Sequence, residues 1–564
     1  MSITFRKHLF GIALIYATIF PFVLFAQSLP DSTTKKIDNL FKQWDNPTTP
    51  GCAIAIIRND SIIYKKGYGS ANLEYGIPIT PETIFHMASV SKQFTAFSIV
   101  LLEQQGKLKL DDDIRKYLTW FPDMGKKITI RHLLNHTSGV RDQWQLLAIS
   151  GTRLDDVITQ EHIVKILSKQ KELNFEPGEQ FLYSNSGFTM LAEIVKAVTG
   201  QTLRAFTDSA IFKPLRMTNT HFHDNYQEIE KNRSYSYGRI DSTHFSNSIL
   251  SYSNAGATSL FTNIDDLALW VMNFYSHKVG DQKDIDRLTE KGKLNSGKEN
   301  DYALGISSDK QFGWRRFSHS GGDAGYRTFI AVFPDLKMGF LVFSNLGDFN
   351  PYFKAFELSR IFISDTIRKT ASVPIKRDSA LAILKDTKSW EKFTGDFIAD
   401  DGTQLNFKIK NDKLYGSPGD QDYLLVQQKA DTFAAFSSPE LRVVFSLKAK
   451  KPVVDFIDGR GQVKRMVPYT LNIALTDKQM EQYAGEYYCP ELDCKYGIVL
   501  RDHELFLTNN KYNDAKLQLV GEDHMTDDFW WMSHLLIKRD ASKKITGFEV
   551  NDGRVMHLKF DKIK

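Results

Sequence analysis

The chain has 564 residues, 42% hydrophobic and 25% charged, the make-up of a folded globular protein rather than a disordered or repetitive one. That length exceeds what a single hydrophobic core usually serves, so more than one domain is expected. A net charge of +5 is spread over 72 basic and 67 acidic residues, with no basic block interleaved with aromatics, which argues against nucleic acid as a partner.

At the N-terminus Arg6 and Lys7 precede an apolar run from Leu9 to Phe25, then Ala26-Gln27-Ser28. This reads as a signal peptide over residues 1–26, cleaved after Ala26, and predicts a periplasmic or secreted protein. The run is nearly long enough to span a bilayer, so membrane contact is expected only if the segment is retained. Thr33 to Trp44 reads as an amphipathic helix. Cys52–Arg58 and Ser61–Gly67 read as two strands joined at Asn59-Asp60.

The next stretch, His86-Met-Ala-Ser89-Val-Ser-Lys92, opens an apolar helix running to Glu103. Three-residue spacing puts the Ser89 hydroxyl and the Lys92 amine on one helix face. A serine needs a contacting base to act as a nucleophile. A lysine serves as one only where apolar surroundings lower its pKa. Ser-x-x-Lys alone is a common pattern, equally readable as a helix cap and a surface lysine.

Lys107–Trp120 and Thr129–Leu134 read as short helices, and Asn135-His136-Thr-Ser-Gly139 as a turn in which His136 satisfies backbone groups. A Pro177-Gly178 turn leads to Tyr183-Ser-Asn185 and an apolar helix, Phe188–Val198, ending at Gly200. Tyr183 and Asn185 can project into a cleft or belong to the core and a helix cap. His221-x-His223 has no carboxylate or cysteine at useful spacing, so a plain surface strand is expected and no metal. Thr262 or Asn263 caps a helix over Ile264–Tyr275. Phe317 to Tyr326, carrying His319, Gly321 and Gly322, is a glycine-rich strand followed by strands at Thr328–Phe333 and Met338–Ser344. Glycines there admit close approach of a backbone or a substrate, or mark a bulge.

In order and spacing, Ser89-Val-Ser-Lys92, Tyr183-Ser-Asn185 and His319-Ser-Gly321 resemble the three elements of the penicillin-recognising serine hydrolases. The nearest branch holds the class C β-lactamase, D-aminopeptidase and carboxylesterase types, and the likeness runs from about Ile37 to Ile363. The resemblance implies an α+β fold: an antiparallel sheet flanked by helices, with a helical subdomain and a cleft between them. It implies Ser89 as the acylated nucleophile, Lys92 as its activator and Tyr183 as a proton shuttle whose own pKa is depressed by Lys92. It also implies Asn185, His319, Gly321 and Gly322 as substrate-binding residues, with the N–H groups of Ser89 and Gly322 as oxyanion donors. No cofactor is implied. The family's third element is Lys-Thr-Gly, so a histidine at 319 removes a permanent positive charge. An ester or amide without an obligatory carboxylate is the expected small-molecule or short-peptide substrate.

Beyond a linker at Arg368–Arg377 the sequence repeats itself. Trp390-Glu-Lys-Phe393-Thr-Gly395-Asp-Phe397 matches Met480-Glu-Gln-Tyr483-Ala-Gly485-Glu-Tyr487, and Phe456-Ile-Asp-Gly-Arg matches Phe548-Glu-Val-Asn-Asp-Gly-Arg. Each copy offers roughly eight strands, enough for a small barrel. The expected layout is a hydrolase domain over 33–367 and two barrels over 379–470 and 475–564, which resembles the D-aminopeptidases. The barrels cap the cleft or bind something else. Cys489 and Cys494 can pair in an oxidising compartment or stay as thiols. The expected function is a secreted serine hydrolase acting on a D-amino-acid peptide, an amide or a small ester. The alternatives are a β-lactamase or D,D-carboxypeptidase, and a catalytically silent sensor or scaffold. The sequence leaves the oligomeric state open.

Overall fold

Alternating side chains decide how the central sheet is covered. The structure, a computed structural model, describes residues 29–370 and 387–564, apart from 400, 418–421, 436–437, 447–452, 458–462, 471–472 and 522. The signal-peptide reading, most of the expected linker and the Asp-Gly-Arg of the first repeat lie outside the described residues. Helix α1 (Asp31–Phe41) leads into strands β1 (Cys52–Arg58) and β2 (Ser61–Tyr68), the expected hairpin, with Asn59 left-handed in its turn. Strand β3 (Phe85–His86) runs into helix α2 (Lys92–Gln104). Helix α3 (Asn185–Thr199), strands β4 (His221–Phe222) and β5 (Leu260–Thr262) and helix α4 (Ile264–Ser276) follow, with Asn263 capping α4 through the Asp266 N–H. Strands β6 (Ser307–Gln311), β7 (Trp314–Asp323), β8 (Tyr326–Phe333) and β9 (Met338–Ser344) then lead to helix α5 (Pro351–Thr370).

The six-stranded sheet has the order β6-β7-β8-β9-β1-β2 and is antiparallel throughout. Strand β1 lies between β9 and β2 and is buried on both faces. Cys52, Ile54 and Ile56 face a core with Ile37 and Phe41 of α1 and Leu358 of α5. Ala53, Ala55 and Ile57 face the helical side, with Phe94, Phe97 and Trp270. The period-two alternation of β structure produces that division.

Two expectations need correction. Lys107–Trp120 forms only a short 3₁₀ turn, Ile114–Lys116. Its backbone groups are taken by a neighbouring segment instead: Ile114 N–H bonds Ile128 O, and Leu110 O accepts from Arg131. Residues 368–370, read as linker, end helix α5.

The C-terminal repeats close into two eight-stranded antiparallel barrels. Gly395 and Gly485, equivalent in the two copies, both take positive φ at the start of the first barrel strand. The first barrel has a small core of its own, with Trp390, Phe393, Phe433 and Phe445. The second barrel is continuous with the hydrolase core. Its last hairpin, β10 (Ile545–Asp552) and β11 (Val555–Lys562), turns at Gly553-Arg554. Cys489 and Cys494 stand opposite each other in its first hairpin as free thiols.

Candidate active site

The turn that presents Ser89 is held from both sides. Strand β3 pairs with β5, His86 opposite Phe261, which fixes the chain entering the turn. Residues 88–91 form a 3₁₀ turn and α2 begins only at Lys92. Ala88 is left-handed, with φ 48°, a conformation costly for a residue with a Cβ. Ser91 Oγ locks it, donating to Ala88 O at 2.5 Å and accepting from Leu260 N–H at 3.0 Å. Helix α2 is buried on every side from Lys92 to Leu102, as its apolar sequence predicts.

Lys92 is the centre of the site. Its Nζ lies 3.0 Å from Ser89 Oγ, 2.9 Å from Asn185 Oδ1 and 2.6 Å from Ala257 O. Complete burial lowers its pKa from 10.5 to about 7, against the opposing pull of Asp323 and Asp142. A neutral amine has two protons and one lone pair. The carbonyl oxygens of Asn185 and Ala257 can only accept, so they take the two protons. Ser89 is the one partner with a proton to give, and the lone pair faces it.

Tyr183 completes the contact set, its hydroxyl bonded to Ser89. Its ring lies 4.1 Å from the His136 ring and 5.0 Å from Lys92 Nζ. The expectation of a depressed tyrosine pKa fails: burial raises it, so Tyr183 is a neutral phenol. His136 is structural, as expected. Its Nδ1 accepts from Ser184 N–H at 3.1 Å, and its ring backs Tyr183.

Asn185 is the first residue of α3. Its N–H and Nδ2 both donate to Asp142 Oδ2, at 2.7 and 2.8 Å, which aims its Oδ1 at Lys92. His319 is buried and neutral, its pKa lowered to about 3 by burial. Its Nδ1 donates to Ser320 O at 2.6 Å, so its Nε2 accepts from Tyr302 Oη at 2.8 Å. Both nitrogens are engaged, and His319 holds the strand edge without offering a charge.

Gly321 must be glycine: a Cβ there would stand 2.3 Å from Met87 O, just before the nucleophile turn. Strand β6 ends opposite Ser318, which leaves the outer edge of residues 319–323 facing the cleft, where Gly322 and Ser89 line the same cavity. A cavity of about 620 Å³ opens there, lined by Ser89, Tyr183, Asn185, His319, Gly322 and Arg554. It continues into a second of about 710 Å³ that reaches Trp530 and Gly553.

Asp142, Tyr302 and Arg554 were not legible as site residues. Arg554 comes from the second barrel, and its guanidinium lies 4.9 Å from the Tyr183 ring and 3.8 Å from Asp142 Oδ2. The tip of its hairpin is pinned. Arg554 N–H donates to Gln145 Oε1 at 2.8 Å, and Arg554 O accepts from Asn174 Nδ2 at 2.9 Å. Arg141 is wholly buried beside it, donating to Glu491 Oε2 at 2.8 Å and to the carbonyls of Met556 and His557. The repeat signature itself ends at Arg554, but nothing in it says which copy meets the cleft.

Residues 37–357 match the family model described as Beta-lactamase. A penicillin-binding protein of Bacillus subtilis (strain 168) is 26% identical over 451 residues, 77% of this chain and 96% of that protein. A D-aminopeptidase of Brucella anthropi is 25% identical over 527 residues, 89% of this chain and 93% of the relative. The solved octameric penicillin-binding protein homologue from Pyrococcus abyssi superposes with a TM-score of 0.53 at 22% identity, covering 77% of this chain and 99% of that one, which shows the shared fold. With the family model matched over more than half its length, and with Ser89, Lys92 and Tyr183 in mutual contact, the chain belongs to the beta-lactamase family and is a serine hydrolase.

Proposed function

We propose that the protein is an exported amidase or peptidase that cleaves a D-amino-acid amide, a short D-amino-acid peptide or a small ester through an acyl-enzyme on Ser89. The observation that carries this reading is the neutral Lys92 amine, with its lone pair on Ser89 and both its protons committed elsewhere. Ser89 Oγ attacks the carbonyl carbon while its proton passes to Lys92 Nζ. The oxyanion forms against the N–H groups of Ser89 and Gly322, donors commonly worth about 3–4 kcal/mol of barrier each. The leaving amine takes a proton from the Tyr183 hydroxyl, which is replenished from Lys92, and the C–N bond breaks. Water then hydrolyses the ester by the same route in reverse. The D-amino-acid preference is supported by the likeness to D-aminopeptidase, and export rests on the N-terminal apolar run. Among the described residues no helix is long and apolar enough to cross a membrane.

A second reading, a carboxylate-bearing substrate such as a β-lactam or a cell-wall peptide, is favoured by one observation. Arg554 brings a guanidinium to the cleft where His319 supplies no charge. Treating the full chain with a fluorophosphonate and a fluorescent penicillin, read by intact mass against Ser89→Ala, separates the two. A Ser89-dependent fluorophosphonate adduct with turnover of D-alanine amides supports the first. Rapid penicillin labelling without amide turnover replaces it with the second, and labelling by neither reagent sinks both.

A further inference from the structure

Strand β4 aims two imidazoles the same way. His221 and His223 lie two residues apart along extended chain, so both point to one side while Phe222 between them is buried in the core. The sequence offers them no nearby carboxylate at regular spacing, but the fold does. Glu230 returns to the same spot, its Oε2 3.6 Å from His221 Nε2. His221 Nε2 is 3.2 Å from His223 Nδ1, and the three donor atoms all lie within 4.8 Å of one another.

The loop that delivers Glu230 is fastened independently. Arg204 donates to Asp224 Oδ1 at 3.0 Å and grips Glu228 with two bonds, at 2.5 and 2.8 Å. The hydrogen bonds of Arg204 go to Asp224 and Glu228, so its guanidinium leaves the Glu230 carboxylate to His221. Among the described residues, the ion-pair contact of Glu230 is with His221. Arg233, the other nearby cation, lies over the Phe261 ring.

We propose that His221, His223 and Glu230 form a binding site for a zinc-type divalent cation, distinct from the catalytic cleft. Zinc takes imidazole nitrogen at about 2.0–2.1 Å and carboxylate oxygen at about 2.0–2.2 Å, so neighbouring donors in a tetrahedral site stand roughly 3.3–3.5 Å apart. Two of the three donor separations are already close to that. Two imidazoles and one carboxylate suit zinc, and they suit magnesium or calcium poorly. His221 and Glu230 remain 16% and 18% exposed, which leaves a fourth position to water. The ion would join the 224–230 loop to the sheet β3-β5-β4, whose strand β3 leads into the Ser89 turn.

The test uses the untagged full chain, stripped with a chelator and dialysed against Zn²⁺, with bound metal measured by mass spectrometry. Co²⁺ loading is read by visible absorption. One Zn²⁺ per chain is expected, with intense tetrahedral Co²⁺ bands and a Zn²⁺-dependent rise in melting temperature. Affinity should fall at least tenfold in Glu230→Gln and further in the double variant His221→Ala/His223→Ala. Glu230→Gln changes a part-exposed loop residue and keeps the test decisive if the histidine variant does not fold. No stoichiometric Zn²⁺ in the wild type, or Zn²⁺ bound equally well by Glu230→Gln, overturns the proposal.

Discussion

Lys92 sets the pH behaviour of both reaction and fold. Below about pH 7 it is protonated and cannot take the Ser89 proton, so kcat/KM should rise through about pH 7 as the amine becomes free. Lys92→Met should lower kcat by about 10²–10⁴-fold, the usual worth of general-base catalysis. In the unfolded chain the amine regains its ordinary value of 10.5, so between about pH 7 and that value the unfolded state binds the extra proton. Stability therefore rises with pH across that window, and Lys92→Met should flatten the pH slope of the urea midpoint. Arg554 governs a different quantity. A charge-assisted bond to a substrate carboxylate is worth about 1.5–3 kcal/mol. Arg554→Ala should accordingly raise KM for carboxylate-bearing substrates about 10–100-fold and leave neutral amides nearly unchanged, as steady-state kinetics on matched pairs would show.

Among the elements, the joint between the Arg141-Asp142 segment and the second barrel concentrates the energetics. Arg141 and Glu491 form a buried ion pair, and removing one partner of such a pair costs about 3–5 kcal/mol because the other charge is stranded. Arg141→Ala should loosen the barrel, visible as faster hydrogen exchange across β10 and β11. Glu491→Gln, which keeps a hydrogen-bond acceptor, should do so less. Much at this scale is legible in the sequence. Strand β1 appears as an unbroken apolar run, the cap of α4 is narrowed to Thr262 or Asn263, and the two repeats give a strand count that closes a barrel. Ser89, Lys92 and Tyr183 are legible because their chemistry shows in their type and order. Asp142 and Tyr302 are not, since each works through hydrogen bonds to a residue far along the chain and has no periodic signature. Lys107–Trp120 misleads because its helix-forming residues are outcompeted by pairing with residues 128–131, a tertiary effect no local pattern carries.

The whole molecule has unequal parts. The first barrel keeps a separate core, whereas the second shares the hydrolase core. Calorimetry should resolve two transitions, with activity surviving the one that belongs to the first barrel. At the interface, two adjacent residues look opposite ways. Arg141 holds the second barrel, and Asp142 holds Asn185, whose Oδ1 accepts from Lys92. Injury at one end of the polypeptide is therefore felt at the other. Clipping or partial melting of the last hairpin would silence the hydrolase while its central sheet is still intact, so that heat inactivation precedes global unfolding.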